Sequence, residues 1–383
     1  RPILFLQVAW VLFVLRNELE VFYRSASCVW PDRALDSLFV RPYCPSAQNS
    51  DPAHVLIVAD PQMLDEDSYP GRGPWLMMVT QFIVDMFLRK AWHVAMAKQP
   101  DAVVFLGDML DNGRAKREHK AYLAYVQKFK KMFPASRGLP VFYLPGNHDV
   151  WLGGSDELSK LARARYQTYF GPLNHQALIG NHTLAFIDAP GLVEEYKTHT
   201  QASTVPTVEH WVPQSIRELR KVVDMSIPDG ARPWPLVLFS HIPLARPDGT
   251  DCGPLREKGT LRAGRGLGYE NTLSDATSKM LLDTFRPSVI FSGDDHDYCD
   301  VTHSVAASDD RTSPQTTVHE ISVKSLSMAM GIRRPGFELL SLATPRTPWS
   351  PSFAHAPCVL PDQIGVYVWS YAPLAAATLS ALF

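Results

Sequence analysis

The chain has 383 residues, with 37 Lys+Arg against 39 Asp+Glu and a formal net charge of −2. That balance, with no long basic run, excludes a protein held to nucleic acid mainly by charge. Hydrophobic residues make up 46% and charged ones 20%, which excludes a disordered or collagen-like chain and hints at membrane contact.

In chain order, the first feature is the uncharged run PILFLQVAWVLFVL over Pro2–Leu15. It is read as a transmembrane helix over 1–16 whose start lies upstream of the sequence; a cleaved signal peptide is the alternative. The charged RNELE that follows lacks a small-residue cleavage site. Residues 17–53 read as a connector. From there short apolar runs alternate with helix-like segments, which predicts an α/β domain over 54–345. Its expected strands are 54–59, 102–106, 141–144, 183–187, 236–239, 288–291 and 319–323. Helices are expected over 75–98, 116–133, 155–170, 208–225 and 274–285. The stretches 198–207, 246–271 and 344–361 read as loops, with 346–363 a linker. The uncharged run 364–383 has the ~20 residues that a membrane helix needs. A buried core helix is the rival, although Pro373 suits a membrane span better.

Two anchors around one domain place that domain on a single side of a membrane. The sequon Asn181-His182-Thr183 and five cysteines favour the lumen of the secretory pathway for it, with Asn181 as a glycosylation site. Four cysteines already permit three pairings. Cys28 follows the first anchor and Cys358 precedes the second, so these two can pair near the membrane face. Cys252 and Cys299 follow His241 and His296 and form the second candidate pair, leaving Cys44 free.

Five expected strands end in polar residues able to hold metal. They run into Asp60-Pro61-Gln62, Gly107-Asp108-Met109-Leu110-Asp111, Gly146-Asn147-His148-Asp149, His241 and Gly293-Asp294-Asp295-His296. Ligands of open α/β sheets bind beyond the carboxyl ends of strands, so the five loops are expected to converge. A turn role for any one loop, or a core role for His241, is a sufficient explanation in isolation. Five in order are not explained that way.

The order D-x-Q, GDxxD, GNHD, H, GDxH resembles that of the calcineurin-like metallophosphoesterases. The blocks ADPQMLDEDSYPGR, GNHT, CGPLRE, SGDDHDYC and ISVKSLSMAMGIRRP carry a narrower resemblance, to the GPI-glycan ethanolamine-phosphate phosphodiesterases of the endoplasmic reticulum, and most of all to a fungal member. The resemblance implies a β-sandwich flanked by helices and two divalent ions. Such a pair, about 3.5–4 Å apart, makes a nucleophile from water and clamps a phosphodiester. By the same match Asp108 bridges, Asp60, Gln62 and His296 complete one metal site, and Asn147, His241 and Asp294 the other. His148 corresponds to the family's non-ligand histidine, with Asp149 expected to hold its ring and Asp111 to orient a ligand histidine. The implied substrate is a GPI glycolipid or GPI-anchored protein at the lipid bilayer.

Gln62 and Asp294 stand where the superfamily usually has histidine. One reading is a degenerate, metal-free membrane scaffold. The other is a site retuned toward hard oxygen donors, for which manganese is the expected metal. Asp65, Glu66 and Tyr69 are candidates for the ammonium of ethanolamine phosphate, and Arg256 for a phosphate. Each of these also fits a plain surface role, and another phosphoester substrate remains the in-class alternative.

Overall fold

Val55, Leu56, Ile57 and Val58 are all sealed from solvent, so the strand they form is covered on both faces. The computed structural model describes residues 2–25, 27–38, 51–152, 156–202, 212–225, 234–305, 317–345 and 352–382. Its strands are β1 (Ala53–Val58), β2 (Ala102–Phe105), β3 (Val141–Tyr143), β4 (His175–Ile179), β5 (His182–Ile187), β6 (Leu236–Ser240), β7 (Arg265–Gly266), β8 (Tyr269–Glu270), β9 (Val289–Ser292), β10 (Cys299–Ser304), β11 (Thr317–Ser322), β12 (Gly336–Leu342) and β13 (Phe353–Val359). One sheet has the order β13-β12-β1-β2-β3 and the other β10-β11-β9-β6-β5-β4, while β7 and β8 form a separate hairpin. Strands β1, β2 and β3 are parallel, as are β5, β6, β9 and β11.

Period-2 alternation sorts the side chains into layers. Val55, Ile57 and Val104 meet Phe186, Phe239 and Phe291 between the sheets, where the Phe186 and Phe239 rings stack at 5.0 Å. Leu56, Val58 and Phe105 face outward onto Phe87, Leu88, Trp92 and Phe129 of the helices Pro74–Met96 and His119–Met132. Ile187, Leu238 and Ile290 pack on Leu192, Ile216, Leu219 and Leu281 of the helices over the other sheet. The result is a helix–sheet–sheet–helix sandwich, in keeping with the expected fold class.

All seven expected strands form, with their ends shifted by a few residues, and helices occupy all five expected segments. The start of the fourth, 208–211, lies outside the described residues. The differences lie where local pattern is weak. Residues 198–202, expected as loop, finish the helix Ala189–Ala202. Strand β13, FAHAPCV, falls inside the expected loop and linker; its Pro357 is tolerated because it is an edge strand. The domain therefore runs past 345, and 353–359 are sheet rather than linker. The 17–53 connector is packed as well: Trp30 stacks on His54 at 4.3 Å, and Asp32 accepts from Ser341 Oγ at 2.7 Å. Disulfides join Cys28 to Cys358 and Cys252 to Cys299, while Cys44 lies outside the described residues.

The helix Gln363–Leu382 is long and apolar enough to cross a membrane, and none of its apolar window is buried. The first expected span is not established, because Pro2–Leu15 offers 14 uncharged residues before charges resume. The two helices touch: Trp10 Nε1 donates to Thr378 Oγ1 at 3.0 Å and its ring stacks on Tyr371.

Gly180 and Asn181 form the turn between β4 and β5, both with positive φ (55° and 58°), and Asn181 is exposed at its tip. The next residue, His182, is sealed from solvent and bonded to Gly180 O and Ser352 Oγ, each at 2.8 Å. Burial pushes its pKa down to about 4 from the usual 6.5. The unfolded chain then binds the extra proton between those values, so stability is lost as pH falls through that window. Acidification from pH 7 to 4 is expected to remove on the order of 2–3 kcal/mol through this residue. Urea unfolding of the parent and His182→Gln proteins at both pH values measures it; an equal pH slope in the two would refute the assignment.

Candidate metal centre

The parallel strands β1, β2, β3, β6 and β9 all deliver their carboxyl ends to one place. Each is followed at once by its polar loop, so the five loops do converge. Five candidate ligands sit in the left-handed backbone region: Asp60 (φ 46°), Gln62 (34°), Asp108 (51°), Asp294 (62°) and His296 (68°). Non-glycine residues are rare there, and such strain concentrates at functional sites. Glycines make the close approach possible. A Cβ on Gly146 would lie 2.1 Å from Asp108 Oδ1, and one on Gly107 would lie 2.5 Å from His241 Nδ1.

Asp60, Asp108 and His296 bring ligand atoms within 4.8 Å of one another. A second grouping surrounds His241 Nε2, with Asn147 Oδ1 at 3.0 Å, Asp108 Oδ1 at 3.4 Å and Asp294 Oδ1 at 3.5 Å. Asp108 faces both, since its Oδ2 accepts from Gln62 Nε2 at 2.8 Å. Backbone partners fix the rings and amides. His241 Nδ1 donates to Leu106 O at 2.6 Å, which leaves Nε2 to point inward. Asn147 Nδ2 donates to Gly268 O at 2.7 Å, which turns its oxygen inward. Gln62 differs: its amide nitrogen lies 2.8 Å from Asp108 Oδ2 and 3.2 Å from His296 Nε2, so ligation by oxygen requires a flip of the amide.

The electrostatics are those of a site short of positive charge. Burial, then the neighbouring Asp108 and Asp294, hold the Asp60 carboxyl well above its usual range against the pull of His241. Burial likewise raises Asp294. Burial also raises Asp108, but His241, the His148 ring and hydrogen bonds from the His148 backbone N–H and Gln62 outweigh it and leave that pKa low. Among the described residues, Asp60 Oδ2 is buried with no hydrogen-bond partner. A buried carboxylate oxygen without a donor is costly unless a cation meets it. The residues present thus fit divalent metal.

The His148 side chain is 26% exposed, and its Nε2 lies 4.0 Å from Asp108 Oδ2. The structure corrects the expected support for its ring. His148 Nδ1 donates to Asp111 O at 2.5 Å and lies 3.6 Å from Asp111 Oδ1. Asp149 instead accepts from the backbone N–H groups of Gly146, Met109 and Leu110 at 3.0–3.3 Å, tying two ligand loops together. Burial and Asp108 raise its pKa to about 7. Asp111 thus orients His148 and not a ligand histidine.

The candidate substrate residues fare less well. Asp65 is buried and paired with Arg117, and it accepts from Asn112 Nδ2 at 2.9 Å, so it serves the loop. Arg256 is held by Asp295 through two hydrogen bonds, at 2.5 and 3.1 Å, and is not free for phosphate. Glu66 is exposed, and Tyr69 carries Arg72 over its ring at 4.0 Å. Sequence reasoning missed Arg114, whose Nη1 donates to Asn147 O and Gly268 O at 3.0 and 2.8 Å. It also missed Ser325, whose hydroxyl donates to Asp60 O at 2.7 Å. Both act on backbone, which no spacing rule reveals.

The profile of the family described as "Calcineurin-like phosphoesterase" matches residues 53–298. The chain is similar to Cell division control protein 1 of Saccharomyces cerevisiae, 34% identical over 82% of this chain and 63% of that protein. It spans, then, less than two thirds of that relative's length. Metallophosphoesterase 1 of Ailuropoda melanoleuca is 27% identical over 95% of this chain and 85% of its own, and that of Mus musculus 26% over 88% and 77%.

Proposed function

The chain belongs to the calcineurin-like phosphoesterase family, and from that premise we propose that it is a dinuclear phosphodiesterase that removes ethanolamine phosphate from a mannose of the GPI-anchor glycan, in the endoplasmic reticulum lumen. The hydrolytic reading rests on the buried strand-end donors around the unpartnered Asp60 Oδ2. Asp60, Gln62, Asp108 and His296 would hold one ion, and Asp108, Asn147, His241 and Asp294 the second. Bound there, the ions supply charge neutralisation and acidify water. The chain's own residues do the rest. Leu106 O and Gly268 O fix the donors that point inward. Protonated His148, oriented by Asp111, would offer Nε2–H at the mouth to a phosphate oxygen or to the leaving alkoxide.

The GPI reading is supported by the sequence blocks around the ligand loops and by an apolar helix of spanning length. The two disulfides and the exposed Asn181 turn suit an oxidising lumen. Mass spectrometry of GPI glycans from cells with and without the protein tests it. Ethanolamine phosphate should accumulate on one mannose in its absence. Unchanged glycans, with purified enzyme cleaving another phosphodiester, would overturn the substrate and leave the hydrolase.

Manganese is the proposed metal, because carboxylate and amide oxygens replace two imidazoles while His241 and His296 keep nitrogen in the set. Asp294→His is expected to shift preference toward zinc by about tenfold or more. Activity and metal content after stripping and reloading with manganese, magnesium or zinc measure it. An unsubstituted enzyme that works equally well with zinc would overturn the choice.

A further inference from the structure

The domain meets the Gln363–Leu382 helix across a groove of about 660 Å³. Ile83, Val84, Met328, Ile332, Val368 and Trp369 give it an apolar lining. Arg72 and Arg333 also line it. Among the described residues neither guanidinium has a carboxylate within ion-pair distance, unlike Arg117, Arg163, Arg246 and Arg256. Arg72 is held in place rather than trailing in solvent: it lies over the Tyr69 ring, and its Nη1 donates to Thr80 Oγ1 at 3.0 Å. The nearby acids are already engaged: Asp362 accepts from Gly365 N at 2.7 Å as the cap of the apolar helix, and Glu257 accepts from the Arg333 backbone N–H at 2.7 Å and pairs with Lys324 at 2.9 Å.

The helix Pro74–Met96, which gives Ile83 and Val84 to the groove, also carries apolar side chains in solvent on another face, where Met78 and Phe82 line a separate depression. Trp75, Met78, Phe82 and Met86 are 69, 62, 65 and 42% exposed. Their spacing of three, four and four residues puts them on one face of the helix Pro74–Met96. Trp369, in the groove lining, is 81% exposed. Contiguous apolar surface of this kind marks an interaction site, and tryptophans at such an edge suit the membrane–water boundary.

We propose that this groove binds one anionic glycerophospholipid of the surrounding bilayer, its phosphate on Arg72 and Arg333 and an acyl chain along the apolar lining. The proposal rests on reading Gln363–Leu382 as a membrane span. Two guanidiniums without carboxylates match a phosphate by charge and by paired hydrogen bonds, and the apolar lining matches the chain. Lipid is taken here as a ligand, not as substrate. It would also seat the first turns of the helix Pro74–Met96 in the headgroup layer, close to the 60–73 segment that leads out of the metal site.

The test uses the full chain in detergent micelles doped with phosphatidylserine or phosphatidylcholine, read by native mass spectrometry. Retention of one phosphatidylserine, preferred about tenfold or more over phosphatidylcholine, is expected. Arg72→Gln with Arg333→Gln should abolish the preference, and Ile83→Asp should weaken retention of both lipids. Equal retention of the two lipids, or an unchanged preference in the double variant, would overturn the proposal. Alkaline washing of membranes tests the premise separately. A chain that washes off removes the span and the lipid site together, whereas one that stays bound without lipid preference refutes the site alone.

Discussion

Asp108→Asn is expected to abolish phosphoesterase activity and most metal binding, whereas His148→Ala is expected to keep near-normal metal content and to lower turnover by about 10²–10⁴-fold. The division follows from where each side chain stands. Asp108 is buried, with Oδ2 toward Gln62 and Oδ1 toward His241 and the His148 backbone N–H, 2.8 Å away. It is the one carboxylate shared by both donor groupings. Asparagine keeps the left-handed backbone at this position, φ 51°, which alanine resists, so the loss is chemical and not conformational. His148 stands at the mouth with its ring anchored on Asp111, and it adds nothing to the ligand groupings. Metal analysis of both purified variants beside their rates decides the matter. A His148→Ala protein that loses its metal, or an Asp108→Asn protein that retains it in full, would overturn the assignment.

The strands that carry ligands were the most legible part of the chain, for a physical reason. Strands such as β1, β2, β6 and β9 are buried on both faces, so they read as short unbroken apolar runs ending abruptly in Asp, Gly or His. Strand β13 carries Pro357 and His355, and β12 buries Glu338 against that histidine at 2.8 Å, so neither shows a clean apolar pattern. Their place in the sheet is decided by partners far along the chain. The same holds within the site. The residue types and their order forecast which side chains converge. They did not show that Asp111 and not Asp149 supports His148, because both acids follow glycine in similar loops and only the packing separates them. Charged candidates outside the strand ends were least legible. Asp65 and Arg256 look like ligands in sequence, yet each is consumed by an opposite charge from a distant segment.

Removing metal from this centre should turn its acids into a source of instability, and Asp60→Asn should reverse part of that. In the stripped protein burial, reinforced by Asp108 and Asp294, holds the Asp60 carboxyl well above its usual 3.8. The native state then keeps a proton that the unfolded chain has lost. Its stability therefore falls as pH rises through the window between 3.8 and the raised value. Near neutral pH the buried Asp60 carboxyl therefore costs the stripped protein stability. Asparagine carries no such proton, fits the left-handed backbone at φ 46°, and should restore stability to the chelator-treated protein. With metal bound the sign inverts, because the substitution replaces a charged ligand by a neutral one and weakens the folded, loaded state. Thermal unfolding of parent and Asp60→Asn proteins, each with chelator and with manganese, at pH 5 and pH 8, reads both effects. The stripped variant should melt above the stripped parent at pH 8, by a margin that shrinks at pH 5, while the loaded variant melts below the loaded parent. A variant that melts below the parent under all four conditions would show that Asp60 stabilises the fold through its own contacts, and that its unpartnered oxygen is not held in place for a cation.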